Sequence, residues 1–81
     1  MDKNIAESIK KSEEKMTVAG QNVSQAEENY RVTDDKFKNG LALNSDLLDA
    51  EVALLQAKTD YIQSIVDYEL AQAQLNKSVG E

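Results

Sequence analysis

The sequence predicts an all-α chain, an antiparallel two-helix coiled-coil hairpin with helices at about 3–38 and 46–78 and a turn at 39–45. Three observations predict it. Apolar and small residues recur at alternating steps of four and three on both sides of residue 40, the 3.5-residue period of a helix held against another helix. Helix breakers are nearly absent, with no proline and three glycines in 81 residues. The one concentrated break, KFKNGLALNSDLLDA from Lys36 to Ala50, combines a helix stop and a helix start.

In the first helix the seam reads Ile5, Ile9, Ser12, Met16, Ala19, Val23, Ala26, Tyr30, Thr33 and Phe37. It is thin, because Ser12, Thr33 and the small residues contribute little apolar area while letting a partner helix approach closely. Glu7–Lys11, Glu27–Arg31 and Asp34–Lys38 stand four apart with the acid first, the order that supports a helix. Asn4 with Glu7 forms a candidate cap at the start. Gly20 sits mid-helix beside the seam, where glycine costs about 1 kcal/mol relative to alanine, so it marks a bend or a close neighbour.

At the turn, Lys36 and Lys38 place cations at the negative end of the first helix, and Gly40 supplies a residue able to take a left-handed conformation. Ser45 is the expected N-cap of the second helix, followed by Asp46 and Asp49 at the positive end of its dipole.

The second helix carries two apolar stripes. One runs Leu47, Ala50, Leu54, Ala57, Tyr61, Ser64, Tyr68, Ala71 and Leu75; beside it runs Leu48, Val52, Leu55, Thr59, Ile62, Val66 and Ala73. A lone hairpin covers one stripe, so the other marks an interface, and self-association of the chain is expected, in the form of a four-helix dimer. Lys77 and Gly80 close the helix.

Composition excludes several classes. The absence of His and Cys removes the commonest metal ligands, general base and thiol nucleophile, so no enzyme and no cofactor is expected. A net charge of −6 opposes nucleic-acid binding, which needs a basic face. The charge is lopsided: residues 1–45 hold eight acids and seven bases, whereas residues 46–81 hold seven acids against Lys58 and Lys77. No apolar run approaches the roughly 20 residues that span a bilayer.

The stretch FKNGLALNSDLLDAEVALLQAKTDYIQSIVDYELAQAQL resembles the periplasmic helical hairpin of TolC-like outer membrane efflux proteins. The matching positions are Phe37, the turn glycine Gly40, the helix-opening acid Asp46, Leu48-Asp49-Ala50, Gln56-Ala57 and Tyr61, with AEENYRVTDDKF as the approach to the turn. Coverage is about residues 20–81, and the match is closer to the second of that family's two repeats.

The resemblance implies a hairpin (1–81) belonging to a longer periplasmic α-barrel domain, in a trimer that joins an outer-membrane β-barrel to a periplasmic duct. It implies that Gly40, Leu41, Ala42, Leu43, Asn44 and Ser45 form a tip that docks a periplasmic adaptor (membrane fusion) protein. Asp46 and Asp49 would line the duct's aperture. The sequence departs from some members in having no Arg or Lys between Gly40 and Ala57, so a gate held shut by such a charge is not supported. The alternative is a generic antiparallel coiled-coil spacer or oligomerisation module without a transport role.

Simpler roles stand beside these. Asp46 and Asp49 serve the helix dipole whether or not they line an aperture. As paired catalytic carboxylates they lack any accompanying reactive group. Asp35 to Asp46 has the length of a calcium loop, but Phe37 falls on a ligand position and the last ligand is Asp rather than Glu. Tyr30, Tyr61 and Tyr68 lie on seams and read as packing residues.

Overall fold

The computed structural model describes the backbone of residues 2–80 and the side chains of residues 6–74. Two helices, α1 (Asp2–Lys38) and α2 (Asn44–Gly80), pack against each other as an antiparallel hairpin about 62 Å long and 14 by 12 Å across. The helices reach further than the sequence suggests. α1 already contains Asn4, so the expected Asn4–Glu7 cap falls inside a helix that has begun, and the Asn4 side chain lies outside the described residues. α2 starts two residues before the expected boundary and runs through Gly80; the side chains of Ile5, Leu75 and Lys77 are likewise outside the described residues.

One register holds along the whole hairpin. Gly20 lies against Tyr61, Tyr30 reaches Glu51, and Tyr68 reaches Glu13, so each step along α1 matches one step back along α2. This register sets a large seam residue level with a small one almost everywhere: Tyr30 with Ala50, Leu54 with Ala26, Val23 with Ala57, Tyr61 with Ala19, Met16 with Ser64, and Tyr68 with Ser12. The most buried positions are therefore the small partners, Ala50 at 3% exposure, Ser64 at 7% and Ala19 at 8%. No large side chain among the described residues is fully enclosed, because in a two-helix layer each one keeps an edge in water. Ser64 satisfies its hydroxyl by donating to the Tyr61 carbonyl at 2.6 Å. Phe37, the last expected seam residue of α1, is 38% exposed where the helices part at the turn.

Gly20 has a close neighbour across the seam: a methyl group there would stand 3.5 Å from Tyr61 Cε1, ordinary contact distance. Gly20→Ala is accordingly expected to raise the hairpin's stability by up to about 1 kcal/mol, since helix propensity improves with no clash to offset it. A lower thermal midpoint for this variant would show that Tyr61 cannot yield at all.

Every ion pair among the described residues lies within α1. Asp34 pairs with Lys38 at 3.0 Å as the spacing predicts. Arg31, however, pairs with Glu28 and with Asp35 at 3.5 Å, not with Glu27, and Glu7–Lys11 does not form. Arg31 takes the fork-shaped contact offered by Glu28, to which both its Nε and Nη2 donate. The two helices are thus held together by packing and by two tyrosine hydroxyls that reach carboxylates at 3.5 Å, with no charge pair across the seam among the described residues.

Candidate functional site

The expected tip is a rigid turn. Gly40 has φ of +74°, and it closes α1 with two reversed bonds. Its N–H donates to the Phe37 carbonyl at 3.0 Å, and the Leu41 N–H donates to the Lys36 carbonyl at 2.7 Å. This pair is the Schellman arrangement, which satisfies carbonyls that the helix end leaves open. The backbone then turns directly into α2. The Leu43 carbonyl accepts from the N–H groups of Asp46 (3.0 Å) and Leu47 (3.2 Å), so Leu43 occupies the N-cap position.

Ser45 is therefore not the N-cap; it lies in the first helical turn beside Asn44, and the loop is two residues shorter than expected. Asp46 accepts from the Leu43 N–H at 3.0 Å, the back-bond of a capping box without a capping hydroxyl at its head. Asp46 alone is the acid of the first turn, and Asp49 lies one turn further on.

Of the six expected tip residues, Leu41 and Leu43 stand out at 76% and 70% exposure, with Ala42 half-buried between them. The stop and start hydrogen bonds hold those two leucines outward, because each of their N–H groups is committed to backbone or to Asp46. Asp46 and Asp49 are both exposed.

A second surface runs the length of α2. Leu48, Val52, Leu55, Ile62 and Val66 are all exposed, and Leu70 extends the row. At about 100° per residue, this row lies about 150° around the helix from the seam. It is the back of α2, and not a neighbour of the seam as the stripe pattern first suggests. Between seam and back, the edges of the row carry Glu51 and Lys58 on one side and Asp49, Gln56 and Gln63 on the other.

A third feature is an open groove on one flank of the hairpin, over Ala19 and Ser64. Lys11 and Lys15 stand on one wall and Asp60 and Asp67 on the other. Its register-dependent walls are not visible in a one-dimensional pattern. The same holds for the Tyr30–Glu51 and Tyr68–Glu13 contacts, since they join residues 21 and 55 positions apart.

The titration shifts are local. Partial burial pushes the Tyr30 phenol up, reinforced by the negative charges of Glu51 and Asp34. The hydrogen bond and charge of Arg31 hold Glu28 below the ordinary carboxylate range, and Asp34 raises Lys38. None of these groups belongs to a cluster suited to metal binding, and no such cluster occurs among the described residues. No helix among them is long and apolar enough to cross a membrane. No protein-family model, curated protein or solved structure matches the chain.

Proposed function

We propose that the chain is a wall segment of a TolC-like periplasmic duct, part of an outer membrane efflux or secretion channel of a Gram-negative type envelope. The observation that carries this reading is the placement of two apolar faces on opposite sides of α2. A helix in a compact bundle needs one broad face, whereas a helix in a single-layer wall needs a neighbour on each side. α2 has the second pattern: α1 covers one side, and the Leu48–Val66 row waits on the other. The residues around Phe37, Gly40 and Leu48-Asp49-Ala50 support the same family reading. The role is passive: the helices form wall, and the tip at Gly40–Ser45 docks the hairpin tips of a periplasmic adaptor protein through Leu41 and Leu43. In the parent assembly, a trimer, Asp46 and Asp49 stand near the aperture. No catalytic step and no cofactor is assigned.

Binding to adaptor hairpins tests the tip. Leu41→Asp is expected to abolish binding, a loss of at least about tenfold given that one buried leucine contributes roughly 1.5–3 kcal/mol. Circular dichroism should be unchanged, because the Leu41 side chain is free of the hairpin. Binding that survives Leu41→Asp and Leu43→Asp together removes the docking role. The second reading, a coiled-coil spacer without transport, is favoured by one observation: the Asp46 carboxylate is engaged in its own helix cap, where it serves the turn whatever the turn meets.

A further inference from the structure

We infer that this chain pairs with a second copy of itself back to back through α2, antiparallel, giving a flat four-helix layer ordered α1–α2–α2–α1. The duct reading is not required for this: the pairing concerns the chain alone and sets its two tips at opposite ends, whereas in a duct wall the same row meets a neighbouring helix with the tips at one end.

The choice of partner follows from the two outward faces. The back of α1 is mainly polar among its described residues, presenting Glu14, Thr17, Gln21, Gln25, Glu28 and Asp35, with only Val18 and Val32 as large apolar side chains, two heptads apart. The back of α2 is an apolar row with a 4-3 spacing from Leu48 to Val66, interrupted only by Thr59. A second copy therefore offers one matching surface for this row, the same row, and an identical surface meeting itself requires a two-fold axis. The 3.5-residue spacing is that of a helix–helix seam, so knobs of one copy meet holes of the other.

Charge sets the direction and the register. Glu51 and Lys58 stand two turns apart on the same edge of the row. In an antiparallel pair with its axis near residue 54, Glu51 of each copy faces Lys58 of the other. Asp49 faces Gln56 on the opposite edge, and Val52 meets Leu55 at the centre, with Leu48 over Thr59. Glu51 already accepts from Tyr30 through one carboxylate oxygen, which leaves the other for the lysine. A parallel pair forms neither contact. It also gathers Asp46, Asp49 and Glu51 of both copies at one end of chains that each carry −6, an arrangement that like-charge repulsion opposes.

The experiment is sedimentation equilibrium on the intact chain up to about 1 mM, where even weak pairing is populated. The expected mass is twice 9.0 kDa. Leu55→Lys is expected to return the monomer with helicity intact, since Leu55 is 66% exposed and the hairpin does not rest on it. Lys58→Glu and Glu51→Lys are each expected to weaken the dimer about tenfold, by losing two pairs and adding two repulsions, and the combined swap is expected to restore it. A nitroxide at position 72 should report a distance of about 54 Å between copies, from 18 residues on each side of the axis. A wild-type monomer at the highest concentration, or a dimer indifferent to Leu55→Lys, overturns the interface. A nitroxide distance below about 20 Å, or a charge swap that fails to restore pairing, overturns the antiparallel arrangement.

Discussion

Replacing Ala50 with leucine is expected to destabilise the hairpin by about 1–3 kcal/mol, the usual cost of forcing extra carbon into a packed contact. Ala50 is the most enclosed residue described, at 3% exposure, and the register puts it level with Tyr30 on α1. A leucine there would set two large side chains in one layer, and the helices would have to separate locally or Tyr30 would have to leave its place. The cost would spread, because one register runs the length of the molecule and neighbouring layers share the interhelical distance. Urea unfolding followed by circular dichroism, at a concentration low enough to keep the chain monomeric, measures the change. Tyr30→Ala in the same background should recover part of the loss, giving a coupling of about 1 kcal/mol between the two sites. If the two substitutions simply add, Tyr30 is not the residue that encloses Ala50, and the large-over-small pairing fails at that layer.

Gly40→Ala is expected to cost roughly 1–2 kcal/mol, for a different reason. A methyl group on Gly40 would touch nothing within 4 Å, so sterics between side chains play no part. The penalty is backbone strain: φ of +74° is left-handed, and both reversed hydrogen bonds of the turn depend on it. Gly40→Asn should recover a good part of the loss, since asparagine tolerates this conformation better than alanine does. Equal costs for Ala and Asn would point to some other origin. The contrast with Gly20 is instructive, because the same Gly→Ala change is expected to stabilise there, where φ is helical and the neighbour stands at contact distance.

Much of the candidate site could be read from residues close together in the chain. The turn at Gly40, the cationic end of α1 and the acid opening α2 are local signals, each acting across three to six residues through hydrogen bonds and the helix dipole. The cap of α2 is set by two such local signals in competition. Ser45 has the better capping side chain, but the Schellman turn hands the chain to α2 at Leu43, and Asp46 bonds back to Leu43 instead. Where two local preferences compete, the geometry delivered by the preceding turn decides. Arg31 behaved similarly, taking Glu28 and Asp35 over Glu27 because its guanidinium fits the first of these with two donors.

The sequence by itself determined the class of fold, the position of the turn, both seams and the presence of a surplus apolar stripe on the second helix. Those follow from periodicity and from the scarcity of helix breakers, which bind each residue only to neighbours one or two turns away. Tertiary structure alone decided the register that sets Tyr30 over Ala50 and Tyr61 beside Gly20, the tyrosine–carboxylate contacts across the seam, and the burial of small residues beneath large ones. It also left the surplus stripe uncovered on the back of α2. Those features depend on residues far apart in the chain, and nothing within one helix specifies which turn of the other will lie beside it.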